Sequence, residues 1–415
     1  MNKKLFNQIR NEWRSNLWLA IELLLVSVLM WVIVDFLYLN VTTNYKPLGF
    51  NIEHCYNINY STLDPTNPHY DPADTIIKND YLELASRIRQ LPYIEAASIN
   101  WNAYPYSGGS MWSSLQYDTL KTENVCFKSA EPGFFRIFKY QGANGESPEQ
   151  LTKLLADNPD GFLMSANLFD NTKVNPASLV GKMFYLNGDS SKQYRLLGLY
   201  KTVRYSEFST DHRNYSVITN MNDDVLNNKT TEISIRVKAG SDIDFVSRFW
   251  QYADKHLHIR NLFISDVKPL SYERDNYLQQ YRNDLRIFYT GAAFFLLNLF
   301  LGLFGTFWFR TQQERGEIAL FKVMGGTNRG IFIRQLSKAL LLLTIATIPA
   351  IIIDWNIAFA QICGWMGESD TLAPPRFIPT VVITYLVMAL TILLGAWLPA
   401  HKAMKVQPAE ALHDE

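Results

Sequence analysis

Two stretches of this chain, Ile287 to Phe309 and Phe377 to Leu398, contain no charged side chain. At 1.5 Å of rise per residue each is long enough to cross the roughly 30 Å hydrocarbon core of a bilayer as a helix. A helix is also one of the few structures that satisfies its own backbone in lipid, so most soluble folds are excluded from the start. A third run, Leu17 to Leu39, is interrupted only by Glu22 and Asp35. It exceeds the length of a signal-peptide core and lacks a small-x-small cleavage pattern, which favours an anchor over a cleaved signal. The fourth candidate, Ala339 to Gln361, is apolar as far as Ile353 but carries Pro349 and Asp354.

The mean hydropathy of −0.08 hides these runs, because the apolar residues are bunched at the two ends of the chain. With 415 residues, 48% of them apolar and 14% aromatic, disorder is excluded, and three cysteines are too few for a disulfide-stapled mini-domain. Lysine and arginine equal aspartate and glutamate at 39 each, which argues against a nucleic-acid partner. The charge is unevenly placed, however. Segments 1–16, 310–338 and 399–415 together hold twelve basic and six acidic residues, so they carry +6 and the remainder −6. The positive-inside rule puts those three segments, and both termini, in the cytoplasm. The expected order is a cytoplasmic segment 1–16, span one at 17–39, an extracytoplasmic domain at 40–270 and a stalk helix at 271–286. Span two at 287–309, a cytoplasmic segment at 310–338, span three at 339–361, a short outer loop at 362–376, span four at 377–398 and a tail at 399–415 follow.

The long stretch after span one reads as a folded α+β domain. Glu232 to Val237 alternates polar and apolar residues as a half-buried strand does, and Tyr81 to Leu91 and Asp242 to His256 have helical spacing. Asn187-Gly188-Asp189 predicts a hairpin turn between Met183–Tyr185 and Tyr194–Leu197. The segment from Gly142 to Asn175, rich in Asn, Pro, Gly and Asp, reads as a separator of two subdomains. Cys55 and Cys126 both fall in this domain; the spacing is compatible with a disulfide but is read more simply as two buried free thiols. The fold class is therefore four transmembrane helices plus an α+β extracytoplasmic domain of two subdomains.

No phosphate-binding Gly-x-x-x-x-Gly-Lys-Ser/Thr loop, His-Glu-x-x-His helix, Gly-x-Ser-x-Gly elbow or Cys-x-x-Cys pair occurs in the sequence. The seven histidines are scattered. Catalytic, cofactor-binding and metal-binding residues are accordingly expected to be none. The informative segment follows span two: Glu317, Ile318, Phe321, Lys322, Met324, Gly325, Gly326 and Thr327. Ile318, Phe321 and Lys322 share one side of a short helix, Gly325-Gly326 can end it in a left-handed conformation, and Thr327 can cap the next helix. An ordinary amphipathic loop would fit this pattern too; a docking helix is the functional alternative.

These residues resemble the signature of the MacB/FtsX-like ABC permeases, Glu-Ile-x-x-x-Lys/Arg-x-Leu/Met-Gly-Ala/Gly-Ser/Thr, in register. Gly326 stands where that family more often has Ala, a change expected to loosen the turn slightly. The chain's end, with Pro399, Ala400, Pro408, Glu410, Ala411 and Leu412, is similar to the family's exit from span four and its Pro-x-Glu-Ala-Leu tail. Glu131-Pro132-Gly133-Phe134-Phe135 and Leu179-Val180-Gly181-Lys182 add weaker matches. The resemblance implies a permease subunit in a bacterial inner membrane that transmits the motion of a separate ABC ATPase, which uses the ATP, to the outer domain. It further implies a second permease, as homodimer or paralogous heterodimer, contact with membrane lipid, and a periplasmic adaptor or outer-membrane component as a further partner. Efflux of a substrate and release of a lipoprotein are the implied outputs. A membrane-anchored sensor or receptor, a regulator of a cell-wall hydrolase, and a tethered outer-face enzyme are the alternatives.

Ser271 to Phe288 reads as helix with no Gly or Pro, running directly into span two. Leu278, Tyr281, Leu285 and Phe288 follow at spacings of three, four and three, the seam of a packed helix pair. A continuous stalk and a last helix packed on the domain's core both fit that seam. Within the spans, Glu22 is expected to reach toward the cytoplasmic face, Asn298 to bond a neighbouring helix, and Pro349 to kink span three.

Overall fold

A computed structural model describes residues 13–73, 77–170, 174–186, 188, 189, 191–209, 215–227, 231–362, 372 and 374–405. In chain order the elements are α1 (Trp13–Asn44), β1 (Cys55–Thr62), α2 (Ile77–Arg89), β2 (Ile94–Trp101), β3 (Met111–Tyr117), β4 (Leu120–Ala130), α3 (Phe134–Phe138) and α4 (Pro148–Ala156). Then come β5 (Gly161–Ser165), β6 (Met183–Leu186), β7 (Gln193–Tyr200), β8 (Ser216–Thr219), α5 (Asp223–Leu226), β9 (Glu232–Val237), α6 (Phe245–His256) and β10 (Leu262–Pro269). Four helices close the chain: α7 (Leu270–Gln313), α8 (Arg315–Val323), α9 (Asn328–Phe359) and α10 (Pro374–Met404). They divide into two units, one of Thr43–Arg282 and one of Met1–Thr42 with Asn283–Glu415.

The first unit is a large α+β domain built from two β structures. Strands β10, β1, β9 and β2 lie side by side, all antiparallel to their neighbours, and each half of the arrangement is a strand–helix–strand crossover: β1-α2-β2 and β9-α6-β10. This is the split β-α-β pairing of ferredoxin-like sheets. Alternation drives it. Tyr56, Ile58 and Tyr60 of β1 and Ile233, Ile235 and Val237 of β9 point to one face, where Tyr81, Leu84, Ala85 and Ile88 of α2 and Phe245, Phe249 and Ala253 of α6 cover them. Each large apolar side chain buried here contributes about 1.5–3 kcal/mol.

The second β structure is inserted between β2 and β9. Its six strands close on themselves: β4 pairs β3, β3 pairs β6, β6 pairs β7, β7 pairs β5, β5 pairs β8, and β8 returns to pair β4 in parallel. Along β5, Phe162 and Met164 fill the interior with Val125, Phe184 and Val217, while Leu163 faces the other way onto Phe134, Phe135 and Leu151 of α3 and α4. Both faces of β5 are covered, so all five of its residues are buried.

The segment 142–175, expected as a separator, is largely structured instead. Ser147 and Gln150 form a reciprocal capping box, with Pro148 at the first helical position, and so start α4. Residues that read as loop formers serve as the cap, and β5 follows. The subdomain junction lies instead at β2 and β4, which pair only through Asn100–Ala130 and Trp101–Ser129. The β6–β7 hairpin forms as expected, with Gly188 at φ +72° in its turn, while Asn187 lies outside the described residues. Cys55 and Cys126 are both buried free thiols.

Among the described residues four helices are long and apolar enough to cross a membrane, Leu17–Asn44, Leu270–Gln313, Asn328–Phe359 and Pro374–Lys402, and apart from Leu270–Arg282 and the last two residues of the first they belong to the second unit. Its core joins Leu19, Leu23 and Met30 of α1 to Leu299 and Leu303 of α7, Leu342 and Leu343 of α9, and Met388 and Ile392 of α10. Polar bonds tie α1 to α10. Trp31 Nε1 donates to Thr380 Oγ1 at 3.1 Å, Tyr38 donates to the Pro375 carbonyl at 3.1 Å, and the Arg376 guanidinium grips both oxygens of Asp35 at 2.8 and 2.7 Å. Asn298 bonds its own helix instead, its side-chain amide donating to Phe294 O, one turn back, at 2.8 Å. Glu22 is half-buried, and Pro349 is accommodated inside α9.

Candidate functional site

The segment between α7 and α9 is an elbow built from three local rules. α8 ends in a Schellman turn: Gly325 N bonds Lys322 O and Gly326 N bonds Phe321 O, both at 3.0 Å, with Gly325 at φ +92°. Thr327 then caps α9, its hydroxyl accepting from Gly330 N at 3.1 Å. Gly326 has its own reason to lack a side chain. A Cβ there would stand 2.4 Å from the Phe321 ring and 2.7 Å from the Phe321 carbonyl, so Ala at this position requires the turn to shift.

One face of α8 is spent on the chain itself. Ile318 is buried against Ile331 of α9, Phe321 packs on both, and the Arg334 guanidinium sits 5.0 Å above the Phe321 ring. Just before α8, Glu314 accepts from Lys338 Nζ at 2.7 Å and from Gln335 Nε2 at 2.9 Å. These bonds fix the angle at which α8 leaves α7. Lys322 Nζ donates to the Met404 carbonyl at 2.7 Å, and Lys402 lies 3.9 Å over the Trp308 ring, so the last turn of α10 is bound to α8 and to the end of α7. The opposite face of α8 is open: Leu320, Val323 and Met324 are 53%, 63% and 71% exposed, beside the exposed Glu317.

Sequence reasoning singled out Ile318, Phe321 and Lys322, all of which turn toward the chain's own helices, and it missed Leu320 and Val323. It also missed Glu314, Gln335, Arg334 and Lys338. The signal was available: a period of 3.6 puts Leu320 and Val323 opposite Ile318 once that residue is assigned inward. At the chain's end, Pro399 and Ala400 are buried in α10; Pro408, Glu410, Ala411 and Leu412 lie outside the described residues.

Of the seam residues, Leu278 is buried, and Tyr281 stacks on Phe208 with ring centres 5.6 Å apart. Leu285 is buried, and Phe288 meets Phe36 of α1 at 3.8 Å. Within the large domain, Arg274 Nε donates to the buried Glu207 at 2.6 Å, Tyr106 donates to the same carboxylate oxygen at 3.1 Å, and Tyr277 packs on Tyr106 and Tyr205. The first three turns of α7 are thus held by the segment 205–208. α7 itself is unbroken for 44 residues.

Residues 289–408 match the family model for the FtsX-like permease C-terminal domain. No curated protein matches the chain. Among solved structures, the periplasmic region of MacB from Actinobacillus actinomycetemcomitans is 11% identical, covering 56% of this chain and 94% of that one with a TM-score of 0.32. A domain of a protein described as a permease from Porphyromonas gingivalis is 16% identical, covering 53% of this chain and 92% of that one with a TM-score of 0.33.

Proposed function

Residues 289–408 belong to the FtsX-like permease family, and on that premise we propose that this chain is the permease subunit of an ABC transporter. It carries the motion of a separate ATPase subunit through its helices to the large domain, for efflux of a substrate or release of a lipoprotein from the inner membrane. The observation that carries the reading is the elbow. α8 is clamped on one face by Ile331, Arg334 and the Glu314–Lys338 pair, and it presents Leu320, Val323 and Met324 on the other. A helix fixed in angle but apolar outward is suited to inserting into a cleft of a partner, each buried side chain adding about 1.5–3 kcal/mol.

The long α7 supports the second half of the proposal. A continuous helix runs from the sheet end of the large domain into an apolar span, and a rod of that kind passes displacement on where a flexible linker absorbs it. Both termini and α8 then lie in the cytoplasm and the large domain in the periplasm, in keeping with the +6 and −6 division of charge.

Replacing Leu320 and Val323 together with Asp tests the docking. Co-purification of the cognate ATPase should fall at least about tenfold, the equivalent of about 1.4 kcal/mol, with the trypsin-digestion pattern of the large domain unchanged. Phe321→Ala should act less directly, by loosening the elbow. Undiminished ATPase binding by the Leu320→Asp, Val323→Asp double variant would show that α8 is not the docking element.

A further inference from the structure

Among the described residues of the helix unit two aspartates are buried, and the chain treats them differently. Asp35 of α1 is fully buried and is gripped by Arg376. Asp354 of α9 is 3% exposed, its Oδ1 is buried with no hydrogen-bond partner, and among the described residues no cation pairs with it. The other titratable and charged groups toward this end of the unit are Asp35 and Tyr38 on α1, Asp284, Arg286 and Tyr289 on α7, and Arg376 on α10. Tyr38 is spent on the Pro375 carbonyl and Arg286 reaches Asn283. Along α9 itself no other charged residue follows Lys338.

Helix periodicity explains why Asp354 points inward. Thr347, Ala350, Asp354 and Ala358 recur at spacings of three and four and are all buried, so they form the inward face of α9. Thr347 satisfies its hydroxyl on the Leu343 carbonyl at 2.8 Å, an outlet that Asp354 lacks. One turn nearer the end of α9, Ala358 packs with Trp31 of α1 and Phe377 of α10, and the Trp355 ring meets Phe377 with centres 5.4 Å apart. An apolar layer thus lies between the carboxyl and the end of the helix. A carboxylate without a counter-charge in such a setting is more costly than the proton that neutralises it.

The surroundings also say which ligand the carboxyl can take. No group of three acidic, histidine or cysteine side chains forms around it among the described residues, and a lone carboxylate supplies too few oxygens for a metal cation. At 3% exposure it is closed to an organic cation. We propose that Asp354 is a proton-binding site, which carries a proton while α9 is packed on α1 and α10 and yields it to water when those helices separate. The proton leaves the carboxyl O–H bond for a water molecule, and the electron pair stays on the carboxylate, which the packed unit does not hold. On the reading given above this end of α9 faces the periplasm, so the proton is exchanged with that side; the site itself does not depend on an ATPase.

The test uses the full chain in detergent micelles without an ATPase, so its failure is separable from failure of the docking proposal. At about pH 6 the infrared spectrum should contain the carbonyl stretch of a protonated carboxyl that Asp354→Asn lacks. Raising the pH to about 10 should reduce that difference at least about tenfold. A group that keeps its proton when folded and loses it when unfolded weakens the fold as pH rises, by about tenfold in the folding equilibrium per pH unit. Asp354→Asn, which has the shape of the neutral acid, should remove that slope and unfold at the same temperature as the unaltered helix unit or higher. Absence of the difference band at about pH 6 would show an ionised carboxylate, and an equal band at both pH values would show a proton that never leaves. An Asn variant that unfolds earlier, or does not fold, would show a charge that the unit needs. Each of these three results overturns the proposal.

Discussion

Arg236 in the large domain and Arg376 in the helix unit are both buried, at 1% and 7% exposure, and the chain holds them in opposite ways. Arg236 gives its bonds to neutral oxygens: Ile137 O at 2.6 Å, Glu53 O at 2.8 Å, and the carbonyl and side-chain oxygens of Asn51, both at 3.0 Å. Arg376 takes a full counter-charge, Asp35, in a two-pronged grip. The difference follows from the surroundings. A domain bathed in water lets solvent polarise around a single buried charge, so carbonyl dipoles suffice, whereas lipid does not, and a charge within a membrane unit needs its opposite beside it.

Breaking the two sites in parallel should give the largest separation. Arg376→Met leaves Asp35 as an unpaired buried carboxylate and should destabilise the helix unit by about 3–5 kcal/mol. Arg236→Met leaves neutral carbonyls rather than a stranded charge, and its cost should be nearer about 1–3 kcal/mol. Thermal unfolding in detergent, read by protection of each unit from protease, measures both. If Asp35→Asn with Arg376→Gln restores most of the lost stability, the cost lay in the stranded charge; if it does not, the comparison between the two arginines fails.

A smaller effect sharpens the same comparison from the acidic side. Glu232, half-buried beside Asn100, which donates to it at 3.1 Å, has its carboxyl pushed up to about 8 by loss of solvent around it. Among the described residues no cation pairs with it to hold it ionised. A carboxyl raised in the folded state stabilises the protein fully below its ordinary value of 4.5, and that contribution is lost as pH rises through about 8. The large domain should therefore lose stability between those values, and Glu232→Gln should flatten the dependence. A pH profile identical in the variant would mean that Glu232 is ionised throughout.

Much of this architecture was legible in the sequence, for reasons that are local. Charge-free runs mark the spans because lipid tolerates little else, and the turn at Gly325 and cap at Thr327 depend on residues within one helical turn. What was hidden depends on distant partners. Asp35 read as an interruption near the end of span one, and nothing nearby points to Arg376, far along the chain. The segment 142–175 misled because Pro148 and Ser147 signal a helix start as readily as a loop. The spacing places Phe321 on one side of α8 with Ile318 and Lys322 but does not say that this side is the inward one, where Phe321 lies half-buried on Ile318 and Ile331. The closed ring of six strands rests on the parallel return of β8 to β4, a pairing that no short-range pattern announces.

The central proposal is that α7 passes motion as a rigid rod, and it is best tested on the assembly it requires, two copies of this chain with an ABC ATPase. Spin labels at Lys153 on α4 and at Arg329 at the start of α9, one site at a time in both permease copies, report the distance between copies with and without ATP. Burial pushes the Cys55 thiol up to about 12 and raises that of Cys126, which keeps both from competing for label. In the unaltered chain both distances should change with ATP. With Gly-Gly-Gly inserted between Asn283 and Asp284, the change at Arg329 should persist and the change at Lys153 should vanish, while a seven-residue helical insertion that preserves the seam should retain both. An ATP-dependent change at Lys153 that survives the triple glycine would contradict the account and place the route of force outside α7.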